Sequence, residues 1–155
     1  MTNAFMARAI QLSLESVRSG SGGPFGAVIV LKDDIIAEGV NQVTARNDPT
    51  AHAEVLAIRQ ACSKLGTFEL AGCELYTSCE PCPMCLGAIY WARLARVYYA
   101  NAAADAAAIG FDDSLIYAEL KAPHAERSIP AVQIMREEAL AAFRAWAEKP
   151  DKIPY

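Results

Sequence analysis

Apolar positions along the chain change spacing between helical and strand-like periods, and their order predicts an α/β protein. Residues 5–19 carry apolar side chains at helical spacing, and the glycine-rich stretch at 19–23 ends that helix. Apolar runs at 26–31 and 35–40 flank a short polar turn. That arrangement is typical of a β-hairpin, so two antiparallel strands are predicted to follow the first helix.

The middle of the chain alternates between helix and strand signals. A helix is predicted over 51–64, with Asp48 or Thr50 as its cap and Gly66 as its stop. Further along, the pattern predicts a strand at 73–78, a helix at 84–93 and a strand at 96–100.

The last third predicts a loop at 101–113, a short helix at 114–120, a fifth strand at 130–135 and a helix at 137–148. Crossover helices after an opening hairpin favour a three-layer α/β/α sandwich around a mixed five-stranded sheet. The chain length of 155 residues predicts a single domain.

Composition narrows the class of protein. Apolar residues make up 54% and charged residues 21%, which excludes disordered and low-complexity classes. No apolar run has the length of a membrane helix, and the N-terminus lacks a signal-peptide pattern, so we expect a cytoplasmic protein. The net charge of −4, without a Lys/Arg block, disfavours nucleic acid as a partner.

Cysteine and histidine supply the candidate chemistry. Three of the five cysteines lie between residues 79 and 85, which suits metal binding in a reducing compartment better than a disulfide framework. His52, Cys82 and Cys85 each fall at a predicted helix start. Three protein ligands leave one position of a tetrahedral zinc ion open, as in catalytic zinc sites, and the nearby Glu54 can serve as a base for bound water.

Cys79 leaves an alternative open. It forms Cys-x-x-Cys spacing with Cys82, as Cys82 does with Cys85, so a closed site with four ligands also fits the sequence. A closed site would make the protein a zinc-stabilised binding module without turnover. We favour Cys79 as a bystander at the strand end.

His52-Ala53-Glu54 followed by Pro81-Cys82-Pro83-Met84-Cys85 matches the pattern H-x-E and P-C-x-x-C of zinc-dependent nucleobase deaminases. The chain resembles the cytidine deaminase-like superfamily and, more narrowly, the bacterial guanine deaminases. The stretches that carry this resemblance are GGPFGAVIV at 22–30, NDPTAHAE at 47–54, TSCEPCPMCLGAIYWAR at 77–93, GFDDS at 110–114 and the terminal Tyr155.

The resemblance implies a cytidine deaminase-like fold and hydrolytic deamination of guanine to xanthine and ammonia. It implies one zinc ion per subunit on His52, Cys82 and Cys85, with zinc-bound hydroxide attacking C2 of guanine. Glu54 would carry the proton from water to the base. Asp113 is expected to act as a second proton carrier.

The same resemblance assigns substrate contacts. Asn41 would read the base edge, Phe25 and Trp91 would form aromatic walls, and Asp112 or Asp113 would recognise guanine N–H groups. From the residues alone, Asn41 can also be a turn residue, the aromatics can be core, and the two aspartates can cap a helix at Ser114.

The C-terminal end is expected to reach a second subunit. In the resembled family, a segment corresponding to about 137–155 crosses to the partner in a swapped homodimer, so Tyr155 would close the partner's site. A loose tail is the alternative. For function, the alternative is a tRNA adenosine deaminase or another amino-purine or amino-pyrimidine deaminase.

Overall fold

The computed structural model describes residues 3–155 and divides the chain into two compact units, which meet in sequence at Asp113 and Ser114. This boundary lies before residue 137, where the sequence analysis placed the start of a swapped segment. The single domain over residues 1–155 stays a prediction.

The first unit contains one four-stranded mixed sheet. Its strands are β1 (Gly26–Leu31), β2 (Asp34–Val40), β3 (Cys73–Cys79) and β4 (Arg96–Asn101), in the order β2-β1-β3-β4. β1 runs antiparallel to β2 and to β3, whereas β3 and β4 are parallel. The N-terminal end of β1 therefore lies beside the C-terminal ends of β2 and β3.

The predicted fifth strand is wrong. Residues 130–135 have no regular secondary structure, belong to no sheet of the described chain and are all exposed, and Met135 has a left-handed backbone conformation with φ of 53°. An extended segment becomes a strand only when a neighbouring strand supplies ladder hydrogen bonds. Apolar alternation alone therefore does not identify a strand.

Helices of the first unit are α1 (Ala4–Ser19), α2 (Val43–Arg46), α3 (Ala53–Leu65), α4 (Pro83–Trp91) and α5 (Ala103–Ala107). The predicted loop at 101–113 is wrong in part, because it contains α5. Alanine has the highest helix propensity, and the Asp105 carboxylate accepts a hydrogen bond of 2.8 Å from the Ala102 N–H at the helix start. The short α2 was not predicted either.

Alternate residues of β1 pack against helices on opposite faces of the sheet. Val28 and Val30 join a buried cluster with Leu12 of α1, while Ala27 and Ile29 join the cluster that includes residues of α3 and α4. This period-two burial produces the expected three layers.

A glycine allows α3 to approach the sheet closely. A Cβ atom on Gly39 of β2 would lie 2.1 Å from the Ala53 carbonyl oxygen, well inside contact distance. The first turn of α3 therefore rests directly on the β2 backbone. This contact positions the residues at the start of α3.

The second unit consists of α6 (Ser114–Lys121), a 3₁₀ turn (His124–Glu126) and α7 (Arg136–Glu148). Both predicted helices are confirmed. No residue of 114–155 is buried, and large apolar side chains such as Phe143 are exposed, Phe143 to 74%. This unit has no hydrophobic core of its own.

Among the described residues, no helix combines the length and apolar character that a membrane crossing requires.

Candidate metal centre and active site

Two helix starts bring the predicted metal ligands together. His52 is the N-cap of α3, Cys82 is the N-cap of α4, and Cys85 lies in the first turn of α4. Pro83 at the first helical position suits this geometry because its missing N–H would have no partner within the helix. Both helices therefore point their positive ends at one place.

The predicted caps of α3 are wrong. Asp48 and Thr50 lie before the helix, and His52 takes the cap position without a side-chain hydrogen bond. The Asp48 carboxylate instead accepts hydrogen bonds from the Thr50 N–H at 2.8 Å and the Thr50 hydroxyl at 2.7 Å. Local side-chain to backbone bonding of this kind stabilises a turn before the helix.

The three side chains have a spacing that suits zinc. His52 Nδ1 lies 3.6 Å from Cys82 Sγ and 3.4 Å from Cys85 Sγ, and all three donor atoms lie within 4.8 Å of one another. In a tetrahedral site, bonds of about 2.0 Å to nitrogen and about 2.3 Å to sulfur put the nitrogen and sulfur atoms about 3.5 Å apart. One imidazole nitrogen and two sulfurs are also donors that zinc prefers, so these residues fit the ion.

The protonation of the cluster is governed by these contacts. A hydrogen bond from the Cys85 thiol, with a further one from His52, lowers the pKa of Cys82 to about 4. The same contact to Cys82, with burial, raises the pKa of Cys85. The hydrogen bond to Cys82 also raises the pKa of His52. A bound cation would replace these shared protons, since a coordinating thiol is fully deprotonated.

Cys79 does not belong to the cluster. It is buried at the end of β3, and its thiol lies 3.9 Å from the Ala102 carbonyl oxygen. Burial raises the pKa of Cys79 to about 11, which favours the neutral thiol over a metal-binding thiolate. The candidate centre therefore has three protein ligands.

Glu54 lies beside the ligands and away from solvent. It is 6% exposed in the first turn of α3 and contacts the Cys85 thiol. Burial raises the pKa of Glu54, while the helix N-terminus favours its charged form. A carboxyl group with a raised pKa beside the candidate metal ligands is suited to accepting and releasing a proton.

Asn41 has a fixed side-chain orientation. It is 5% exposed, and its Oδ1 accepts hydrogen bonds of 3.2 Å from both the Gly23 N–H and the Val43 N–H. Because both partners are N–H donors, the oxygen must occupy that position, and the amide nitrogen is left for another acceptor. The Gln42 N–H donates to the Ala51 carbonyl at 2.9 Å, which brings Asn41 next to the ligand helix.

Phe25 pairs with an aromatic residue that the sequence analysis did not single out. Its ring meets the ring of Phe111 edge to face, with centroids 4.9 Å apart. The Asn41 N–H donates to the Phe25 carbonyl at 3.1 Å, so these two predicted substrate residues are neighbours. Phe111 lies inside the GFDDS stretch, which was the available signal for it.

The two aspartates differ in their surroundings. Asp112 is exposed, whereas Asp113 is partly buried. Burial raises the pKa of Asp113, and the charges of Cys82, Asp112 and Glu80 raise it further. Asp113 is therefore the more shielded of the two carboxyl groups.

Glu80 was also missed, although it lies between Cys79 and Cys82 in the sequence. Its carboxylate accepts a hydrogen bond of 3.0 Å from the Ala103 N–H, which ties the turn after β3 to the start of α5.

Trp91 and Tyr155 are not brought to the cluster within the first unit. Trp91 ends α4, nine residues after Cys82, so the helical rise separates them by about 13 Å along the axis. Its side chain is 69% exposed. Tyr155 belongs to the second unit and is 72% exposed. The roles of both residues stay predictions.

Comparison with known proteins agrees with this site. Residues 1–101 match the family model described as the cytidine and deoxycytidylate deaminase zinc-binding region. A guanine deaminase of Bacillus subtilis (strain 168) is 58% identical over 151 residues, covering 97% of each chain. A tRNA-specific adenosine deaminase of Agrobacterium fabrum is 45% identical over 93 residues, covering 58% of this chain and 61% of that protein.

Solved structures give the same relationships. The X-ray structure of guanine deaminase from Bacillus subtilis superposes with a TM-score of 0.96 at 57% identity, covering 99% of both chains. The guanine deaminase from Nitrosomonas europaea superposes with a TM-score of 0.68 at 33% identity, covering 92% of this chain and 82% of that one. With its zinc-binding residues in place, this chain belongs to the cytidine and deoxycytidylate deaminase zinc-binding family.

Proposed function

We propose that this protein catalyses the hydrolytic deamination of guanine to xanthine and ammonia. The observation that carries the proposal is the buried Glu54 carboxyl beside a cluster of three metal ligands, His52, Cys82 and Cys85. Similarity to a guanine deaminase over 97% of the chain supports guanine as the substrate. In the reaction, a C2–O bond to water oxygen forms, the C2–N bond breaks, and the amino group leaves as ammonia.

His52, Cys82 and Cys85 would hold one zinc ion, which supplies Lewis acidity and lowers the pKa of water at the site. The two thiolates offset most of the charge of that cation. A protein base is consequently required to take the proton of the attacking water.

Glu54 is the base in this proposal. Its carboxylate accepts a proton from water and then delivers that proton to a ring nitrogen of guanine, after which the amino group can leave. Burial at 6% exposure keeps bulk water from competing for that proton. General acid and base catalysis of this kind contributes about 10²- to 10⁴-fold to the rate.

Asn41 and two aromatic rings would hold the purine. The amide nitrogen of Asn41 donates to the carbonyl oxygen of guanine, because its own oxygen is occupied by two backbone N–H groups. Phe25 and Phe111 present an apolar wall to the flat base. A hydrogen-bonding site of this kind rejects bases that lack the matching group.

Asp113 would accept hydrogen bonds from guanine N–H groups or relay a second proton. Its partly buried position and the nearby charges of Cys82 and Glu80 support this role over Asp112. Asp112, the exposed neighbour, stays a second candidate for contact with the guanine N–H groups.

We further propose a homodimer in which the C-terminal segment is exchanged between subunits. The support is physical, because residues 114–155 contain no buried residue yet expose large apolar side chains, which water disfavours. Those side chains are Leu115, Leu120, Ile129, Val132, Ile134, Phe143 and Trp146. In such a dimer, Tyr155 would close the partner's substrate site. Trp91 would be a further aromatic wall for the base. Because a reduced thiol cluster needs a reducing compartment, we place the enzyme in the cytoplasm.

The experiment that tests the function is a steady-state ammonia-release assay of the zinc-loaded protein. Free guanine, adenine, cytosine and an adenosine-containing tRNA anticodon stem-loop are compared at equal concentrations. We expect turnover of guanine and at least about a hundredfold lower kcat/KM for the others. Turnover of the RNA without turnover of guanine would contradict the proposal, and no ammonia from any substrate would favour a binding module.

A further inference from the structure

A buried hydroxyl group on α1 has no part in the proposed chemistry, yet it touches both loops that carry substrate residues. Ser16 is 1% exposed. Its Oγ donates to the Gly23 carbonyl at 3.0 Å and lies 3.3 Å from the Asn41 carbonyl oxygen. One hydroxyl proton is thus shared between the loop before β1 and the loop after β2.

The loop before β1 lies flat against Asn41. A Cβ atom on Gly22 would lie 2.4 Å from the Asn41 carbonyl oxygen and 2.5 Å from its Oδ1. The neighbouring Gly23 N–H donates to that same Oδ1. Only a residue without a side chain at position 22 permits this approach.

The end of α1 directs the chain into this loop. Gly20 caps the helix in the left-handed conformation, with φ of 71°, and its N–H donates to the carbonyl groups of Ser16 and Val17. The chain therefore reverses and brings Gly22 and Gly23 back over the Ser16 side chain. Ser16 anchors the loop through both its backbone and its hydroxyl.

The orientation of the proposed substrate contacts depends on the position of the loop before β1. The Gly23 N–H is one of the two donors that hold Asn41 Oδ1, and the Phe25 N–H donates to the Gly23 carbonyl at 2.8 Å. A shift of Gly23 would therefore move the amide of Asn41 and the ring of Phe25 together. None of these contacts reaches the metal ligands or Glu54.

We propose that Ser16 is a positioning residue for base recognition. Its hydroxyl holds the Gly22–Gly23 loop against Asn41, so that the amide nitrogen is presented to the carbonyl oxygen of guanine. The role acts through binding and not through proton transfer, and it rests on the proposed function. It predicts a defect in KM that is specific to bases carrying that oxygen.

The test compares Ser16→Ala with Ser13→Ala. Ser13 lies one turn earlier on α1, and its hydroxyl donates to the Ile10 carbonyl of the same helix at 2.7 Å. In Ser16→Ala we expect the KM for guanine to rise about tenfold with kcat within about twofold of wild type. Ser13→Ala should keep both constants within about twofold of wild type.

A substrate analogue separates positioning from general damage. 2-Aminopurine is guanine without the carbonyl oxygen, so it cannot accept the Asn41 hydrogen bond. The inhibition constant of 2-aminopurine, measured in competition with guanine, should change by less than about twofold in Ser16→Ala. This ligand never makes the Asn41 hydrogen bond that the substitution weakens. An equal loss for both bases would overturn the proposal.

Two further measurements test the proposal even if Ser16→Ala folds poorly. Ser16→Cys keeps a weaker donor of similar size and should give a KM between those of wild type and Ser16→Ala. Hydrogen exchange of the Gly23 and Val43 amides should accelerate about tenfold in Ser16→Ala but not in Ser13→Ala. Unchanged exchange, or an unchanged KM for guanine, would overturn the role of Ser16. Absence of guanine turnover by the wild-type enzyme would instead overturn the proposed function.

Discussion

Replacing Gly39 by alanine tests whether the approach of α3 to β2 positions the active site. The added Cβ would lie 2.1 Å from the Ala53 carbonyl oxygen and 2.8 Å from the Ala57 N, both of which are backbone atoms that cannot rotate away. Ordinary contacts begin near 3.4 Å. The first turn of α3 must therefore retreat by more than about 1 Å, and it carries His52 and Glu54.

The displacement sets the expected magnitudes. A misplacement of about 1 Å costs about a hundredfold in rate when groups must meet in one geometry, so kcat/KM for guanine should fall by about that factor. Overpacking of this kind also lowers the free energy of unfolding by about 3 kcal/mol. The loss of rate should persist at temperatures well below the melting point, where the variant is folded. Steady-state ammonia release, zinc content and urea unfolding measure the three effects.

Gly87→Ala is the matched control, because it makes the same chemical change within α4. A Cβ at Gly87 meets no atom of the described chain within 4 Å. Removing a glycine from a helix interior should raise stability by about 0.5–1 kcal/mol and leave kcat/KM unchanged. If Gly39→Ala retained wild-type kcat/KM and zinc content, the close approach of α3 would have no role in building the site.

Four other perturbations have defined outcomes. Glu54→Gln should keep one zinc per chain but lower kcat about a thousandfold, because the proton carrier is removed while every ligand stays; appreciable turnover would refute that role. Cys79→Ser should leave zinc content and turnover at wild-type levels, since its thiol lies outside the ligand cluster, and metal loss would make it a fourth ligand. The hydrogen-bonded ion pair with Arg8 lowers the pKa of Glu38 from its ordinary value of 4.5. Glu38→Gln should therefore cost about 0.5–1 kcal/mol at pH 7 after solvent screening. Because a lowered pKa stabilises only the ionised form, this difference should vanish as the pH falls through the folded-state pKa, and its persistence at about pH 2 would contradict the assignment. Deletion of residues 151–155 should lower kcat/KM for guanine at least about tenfold while the melting temperature moves by less than about 2 °C; wild-type kinetics would refute the closing role of the tail.

Local signals predicted most elements because each is specified by neighbouring residues. Apolar spacing and a glycine stop predicted α1, and the structure confirms that helix. Gly66 ends α3 in the left-handed conformation, as predicted. The hairpin of β1 and β2 follows from two apolar runs around a polar turn. These features depend on backbone preferences that operate over a few residues.

Elements that depend on distant partners were not predictable in this way. Residues 130–135 have a strand-like pattern, but the described chain offers them no ladder partner. The cap of α3 was misplaced for a different, local reason, because Asp48 accepts its hydrogen bonds from Thr50 two residues later, before the helix begins. The strand-like pattern of residues 130–135 found no partner strand, and the Asp48 carboxylate was already bonded to Thr50.

The sequence by itself determined the chemistry of the candidate centre. His52, Cys82 and Cys85 carry donor atoms that zinc prefers, and the match of the segments around them to the H-x-E and P-C-x-x-C pattern indicates the type of reaction. Tertiary structure decided which other groups lie near that centre and near the proposed substrate contacts. It turned Cys79 toward the Ala102 carbonyl, placed Phe111 against Phe25 and brought Ser16 beneath Asn41. Residue type sets what a side chain can bind, whereas only the packing of helices on the sheet sets which distant groups lie within a few ångströms of it.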